Sequence, residues 1–247
     1  MVINIASRDK RYFALERILQ SYGYKTKIVD FSGVENPDLL ILSVRREWKE
    51  NELDEIFKSI GEKTVVLSGN GRALCERYGR EIIDYTVGEE FLVKNAYLTA
   101  EACISFLHSN FQTSLFGKKF FISGYGRIGK HLAKILSSLG GKIFIFARRE
   151  EVRREIEKDG FTSSPLDASC ECDFVLNTVP CQIFSGELIS KIPSQTRLVE
   201  LASSCGFENT ERVNFALGLP GKILPLSAAE VIYEAVKPYL ERGRKSQ

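Results

Sequence analysis

The 247-residue chain predicts an α/β fold in two domains, each a parallel sheet covered by helices. Three observations predict it. Short apolar runs alternate with amphipathic segments along almost the whole chain, the rhythm of strand–helix–strand units. One such unit, residues 118–149, carries Gly124-x-Gly126-x-x-Gly129 between its first strand and its helix. Between the two alternating series stands Tyr97-Leu98-Thr99-Ala100-Glu101 and its continuation to residue 110, which reads as a long connecting helix.

The N-terminal third reads as the smaller domain. Val2–Ala6 is a strand, residues 10–22 a helix and Lys25–Val29 a strand. Residues 39–44 form a nearly all-apolar strand entered through Asn36-Pro37-Asp38. Residues 50–60 place Leu53, Ile56, Phe57 and Ile60 at helical spacing, and 64–67 is a further strand. The turn Ser7-Arg8-Asp9-Lys10-Arg11 has no glycine fingerprint, so this domain is expected to hold substrate or a partner. In helix 97–110, Ile104, Phe106 and Leu107 are apolar and Thr99 offers a cap.

The glycine unit is informative about ligand. Phe120-Phe121-Ile122 runs into the glycines, and a helix over 127–139 carries Ile128, Leu132, Ile135, Leu136 and Leu139 on one face. A second strand, 143–146, follows. This is the context a dinucleotide-binding Rossmann turn requires. Gly124 permits the tight turn, Gly126 lets backbone amides approach a pyrophosphate, and Gly129 lets the helix sit close to the sheet. Gly124, Tyr125, Gly126, Arg127, Ile128 and Gly129 are therefore expected at the coenzyme, with the pyrophosphate on the helix N-terminus. The second strand ends in Ala147-Arg148-Arg149 where an acidic residue usually binds the ribose of NAD. Guanidinium groups suit a 2′-phosphate, which favours NADP and leaves NAD possible.

The chain continues with helix 150–158 and strand Phe174–Asn177, ending in Thr178-Val179-Pro180. Asn177 to Pro180 are placed near the nicotinamide-side ribose. Strand 197–201 ends in Ala202-Ser203-Ser204, and strand 213–217 ends in the loop Gly218-Leu219-Pro220-Gly221-Lys222. In the last helix, 227–241, Ala228, Val231, Ile232, Ala235, Val236 and Tyr239 form an apolar stripe, with Pro238 expected to kink or end it. The expected division is a flavodoxin- or Rossmann-like α/β domain over 1–95 and an NAD(P)-binding Rossmann domain over 96–226. The C-terminal helix, 227–247, packs back on the first domain, and a cleft faces that domain from the coenzyme side.

Composition excludes several classes. Thirty-four basic against 32 acidic residues give a net charge of +2, so there is no nucleic-acid footprint. No leader opens the chain and no apolar run reaches membrane-spanning length, which implies a cytoplasmic protein. The six cysteines lack C-x-x-C spacing and read as free thiols, with no metal site.

Several further motifs join the glycine turn: Ser7-Arg8-Asp9-Lys10-Arg11, Val66-Leu67-Ser68-Gly69, Tyr97-Leu98-Thr99-Ala100-Glu101 and Asn177-Thr178-Val179-Pro180. Glu200-Leu201-Ala202-Ser203 and Gly218-Leu219-Pro220-Gly221-Lys222 follow in order. With these motifs the chain resembles the dipicolinate synthase A-type family of spore-forming bacteria. The resemblance implies oxidation of a dihydrodipicolinate-level product to pyridine-2,6-dicarboxylate during sporulation, with NADP and a flavoprotein partner, the B-type component of the same synthase. It also implies a small dicarboxylate substrate; from their places at strand ends Arg45, Arg46 and Lys222 are the candidates for anchoring it, with Ser227 as a hydrogen-bond donor and Arg8 and Arg11 as weaker candidates. Homo-oligomerisation is possible. The chain departs from the family's Arg-Pro-Gly-Gly-Thr-Asp at Ser204 to Asn209, and from Val-Ala-Pro-Lys-Thr-Ala-Gly at Ile223 to Ala229. Two basic side chains are thereby missing, so the chain is either a divergent member with the same reaction or a paralogue with an altered substrate.

Two other readings stand beside this one. The chain would serve as a non-catalytic NADP-binding scaffold or regulatory component, or as a 2-hydroxyacid-dehydrogenase-like oxidoreductase. The domain order resembles the latter, but that chemistry needs a late histidine, and His108 and His131 are the only histidines.

Overall fold

The computed structural model describes residues 1–30, 36–44, 48–69 and 71–245. The chain forms two compact units, residues 1–95 with 220–247, and residues 96–219. The return to the first unit thus begins at Pro220, ahead of the boundary at 227 expected from the helical stripe.

In the first unit β1 (Val2–Ala6), β2 (Lys25–Val29), β3 (Leu39–Leu42), β4 (Val65–Ser68) and β5 (Ile83–Asp84) form one parallel sheet, ordered β2-β1-β3-β4-β5. This is the flavodoxin-like doubly wound order. Period-two alternation sorts the side chains between faces. Ile3, Ile5, Leu39, Ile41 and Leu67 meet Tyr12, Leu15 and Leu19 of α1 (Lys10–Ser21). Leu40, Leu42 and Val66 meet Leu53 and Ile56 of α2 (Glu50–Ser59) and Leu74 of α3 (Gly71–Tyr78). Helix α1 opens at Asp9, whose carboxylate accepts the Arg11 N–H at 2.9 Å. Sequence periodicity missed α3 and β5, which are only 8 and 2 residues long.

Helix α4 (Glu89–Phe111) starts two turns before residue 97. The acidic first turn suits the helix dipole, Lys94 pairs with Glu90 at 2.6 Å, and Phe91 is buried in the first unit's core. Thr99 accordingly lies inside the helix, buried, and does not cap it.

The second unit holds β6 (Lys119–Ser123), α5 (Arg127–Ser138), β7 (Lys142–Phe146), α6 (Glu150–Lys158) and β8 (Thr162–Ser163). A 3-10 turn at 166–171, β9 (Phe174–Asn177), α7 (Gly186–Lys191), β10 (Arg197–Glu200) and β11 (Val213–Phe215) complete it. Its six parallel strands run β11-β10-β9-β6-β7-β8. Counted from β6 this is the Rossmann order, and its topological switch lies between β6 and β9.

Two expectations about the C-terminal segment are corrected. Gly218 to Lys222 is not an open loop, because residues 219–223 form a short helix, α8 (Leu219–Ile223). Proline is compatible with a first helical turn. Helix α9 (Pro225–Lys245) passes through Pro238 without ending. A mid-helix proline costs about 3 kcal/mol, which burial of Ala229, Ile232, Val236 and Leu240 in the first unit's core offsets. Leu240 lies beyond Pro238, so the buried stripe spans the break.

Candidate functional site

The glycine turn is built by close approach on two sides and open space on the third. Strand β6 ends at fully buried Ser123, and Gly124 follows with φ +92°. Its N–H donates to Phe146 O at 2.8 Å, tying the turn to the end of β7. A Cβ on Gly124 would sit 2.8 Å from both Thr178 Oγ1 and Val179 Cγ2. One on Gly129 would sit 2.2 Å from Gly124 O, which is why α5 packs so near the sheet. A Cβ on Gly126 would meet nothing within 4 Å. Gly126 is also the N-cap of α5 and no side chain caps it, so the positive end of the helix dipole faces that open space. Arg127 is exposed and Ile128 half-buried at the helix start. These features fit a dinucleotide pyrophosphate.

The space belongs to a pocket of about 510 Å³. Gly124, Tyr125 and Gly126 form one wall, and Phe146 to Arg149, at the end of β7, form another. Val152 of α6 and Val179 and Ile183 from the segment after β9 close it. Tyr125 is buried, and its hydroxyl donates to Asp159 Oδ2 at 2.7 Å. Burial first, then the Asp159 carboxylate, raise its phenol well above the usual tyrosine value. It is therefore a neutral wall of the pocket. Ala147 is small and buried. Arg153 Nη1 donates to Arg148 O at 2.8 Å, stiffening the strand end from behind. Arg149 pairs with Glu151 at 3.3 Å, whereas the exposed Arg148 guanidinium has no partner among the described residues.

The ends of β9 and β10 are joined by a buried polar network. Ser123 Oγ donates to Asn177 Oδ1 at 2.6 Å, and Asn177 Nδ2 donates to both Glu200 oxygens, at 2.8 and 2.9 Å. The Asn177 side chain is fully buried within this network. Thr178 Oγ1 donates back to Ser123 O at 2.7 Å, and Pro180 is exposed. Val179 alone of this motif lines the pocket among the described residues.

The substrate candidates fare differently. Arg45 and Arg46 lie outside the described residues. Lys222 is exposed on α8, and Ser227 is half-buried in the first turn of α9. Neither is among the residues lining the 510 Å³ pocket. Arg8 pairs with Asp30 at 2.7 Å and Glu52 at 3.0 Å. Arg11 is buried and paired with Asp9 at 2.6 Å. His131 sits on α5 edge-on to Tyr97, and burial, with nearby Lys134, lowers its pKa. His108 is on α4, and neither histidine lines the pocket. The sequence reading did not name Val152 or Ile183, and it named Glu200 only within the Glu200-Leu201-Ala202-Ser203 motif, with no role for its carboxylate. Among the described residues, no group of three His, Cys, Asp or Glu side chains forms a metal site.

Comparison with known proteins agrees with this geometry. Residues 96–203 match the D-isomer specific 2-hydroxyacid dehydrogenase NAD-binding domain family, so the second unit is an NAD(P)-binding domain of dehydrogenase type. The chain is similar to the A component of dipicolinate synthase from Bacillus subtilis strain 168, 24% identical over 191 residues, covering 71% of this chain. It spans 64% of the length of that relative. The crystal structure of the corresponding dipicolinate synthase component from Bacillus halodurans has the same fold, with TM-score 0.80 and 18% identity over 97% of both chains. The apo-structure of D-lactate dehydrogenase from Escherichia coli follows at TM-score 0.66 and 10% identity, over 98% of both. The resemblance read from the motifs is thus also found by whole-chain comparison. No helix among the described residues is long and apolar enough to cross a membrane.

Proposed function

We propose that the chain is an NADP-dependent oxidoreductase of the dipicolinate synthase A type. It oxidises a dihydrodipicolinate-level dicarboxylate to dipicolinate together with a flavoprotein partner, in the cytoplasm of a sporulating cell. The observation that carries this reading is the unobstructed face of Gly126 in the same pocket as Arg148, whose guanidinium has no partner among the described residues, at the switch point of a Rossmann sheet. The dehydrogenase-type coenzyme domain and the likeness to the dipicolinate synthase component support it. A bound nicotinamide coenzyme supplies a hydride acceptor, and aromatisation of the ring provides the driving force. The chain's residues then bind and orient. Amides of the turn and the α5 N-terminus hold the pyrophosphate, Ala147 leaves room for the adenosine ribose, and Arg148 grips its 2′-phosphate with a fork of donors. Val179 and Ile183 keep water from the pocket. Arg45, Lys222 and Ser227 anchor the carboxylates of the substrate.

A second reading has an observation of its own. The described residues lining the pocket include no Asp, Glu, His, Lys or Cys, and Tyr125 there is held as a neutral phenol. This favours a coenzyme-binding component that serves a flavin-bearing partner. Calorimetric titration with NADPH and NADH tests the coenzyme assignment. The expected result is tighter NADPH binding, reversed toward NADH by Arg148→Asp; equal affinities for both coenzymes in both proteins would defeat it. Turnover of fresh dihydrodipicolinate by the chain alone identifies an enzyme, and turnover strictly dependent on the flavoprotein identifies the scaffold.

A further inference from the structure

Glu200 is a carboxylate in the wrong place for stability. It ends β10, is 1% exposed, and burial raises its pKa despite the donors around it. Those donors are numerous. Besides the Asn177 amide, its Oε1 accepts Ala202 N–H at 2.8 Å and its Oε2 accepts Gly206 N–H at 2.7 Å. Asn177 in turn takes Val179 N–H on Oδ1 at 3.2 Å and gives Nδ2 to Val179 O at 3.0 Å. Gly206 O accepts N–H from both Ile183 and Phe184 at 2.9 Å. A Cβ on Gly206 would lie 2.3 Å from Asn177 Nδ2, so the loop fits only as glycine. One carboxylate therefore ties together three strand ends and the two segments that present Val179 and Ile183 to the pocket.

We propose that Glu200 is a positioning residue for the coenzyme pocket, fixing Val179 and Ile183 through Asn177 and Gly206. The inference rests on the pocket being the coenzyme site. Its logic is donor counting. Every partner of Glu200 named here donates, so only a group with acceptors on both arms satisfies the site. In Glu200→Gln one arm becomes an NH₂ that faces an N–H, whichever way the amide is turned. The loops must shift, although side-chain volume is unchanged. Glu200→Asp, by contrast, keeps an acceptor on both arms and only draws them back by one methylene.

The test is titration of the full chain with NADPH, read by calorimetry and by the nicotinamide fluorescence of bound coenzyme at saturation. Glu200→Gln is expected to weaken binding about tenfold, as buried supporting hydrogen bonds commonly do, and to change the emission of the bound ring. A loss of folded protein alone would reduce the amount bound without changing that emission. Glu200→Asp is expected to retain part of both signals that Glu200→Gln loses. Wild-type affinity and emission in Glu200→Gln would overturn the proposal, as would an equal affinity loss with unchanged emission in both Glu200→Gln and Glu200→Asp. If the wild-type chain bound neither NADPH nor NADH, the function proposed above would fail, a result distinct from either of these.

Discussion

Gly126 and Gly129 are three residues apart and differ in what limits them. At Gly126 a side chain meets no protein atom and the backbone is extended at φ −80°, so under the proposed function the limit there is the ligand. At Gly129 the limit is the fold, since a methyl would press on the Gly124 carbonyl at 2.2 Å. Gly126→Val should therefore keep the melting temperature near wild type and abolish coenzyme binding in titration. Gly129→Ala should lower stability by about 1–3 kcal/mol in urea denaturation. The glycine turn between β6 and α5 was legible in the sequence because glycine is itself the signal. Asn177 and Glu200 were not, because whether a polar side chain at a strand end turns outward or inward depends on neighbours far away in the chain. Ser123, 54 residues from Asn177, decides that one.

Elements were read where they were long and strongly periodic. Helix α6 and strand β9 match their expected bounds, while α3, β5, α7 and α8, all of 8 residues or fewer, went unread. Short pieces are held by contacts that periodicity does not encode. Gly71, at the start of α3, is one case: a Cβ there would lie 2.8 Å from Asp84 N in β5. The junction of α1 with β3 and β5 is another. Tyr12 of α1 accepts Val44 N–H at 2.6 Å and shares a hydrogen bond of 2.6 Å with Tyr85, whose hydroxyl donates to Leu42 O at 3.0 Å. Both tyrosines are buried, and desolvation raises both phenols. Tyr12→Phe would leave the Val44 N–H without its acceptor. The expected loss is about 1–3 kcal/mol, seen as a lower midpoint in chemical denaturation; a midpoint equal to wild type would show that water replaces the hydroxyl.

At the scale of the whole chain, the first unit is discontinuous: residues 1–95 are completed by 220–247, and α9 lies in the same core as α1. Deleting residues 225–247 would strip Ile232, Val236 and Leu240 from Tyr12, Leu15 and Leu19. Removal of even one buried Leu or Ile costs about 2–5 kcal/mol. The truncated protein should therefore lose amide-exchange protection in α1, β1 and β3, and retained protection there would argue that α9 is dispensable. The same layout bears on synthesis. As the nascent chain leaves the ribosome, residues 96–219 are whole before α9 is made, so the Rossmann unit is able to close while the first unit still lacks its last helix. Residues 1–95 must wait, with an apolar face uncovered, until residues 220–247 have been made. Chaperone dependence during expression should accordingly concentrate on residues 1–95.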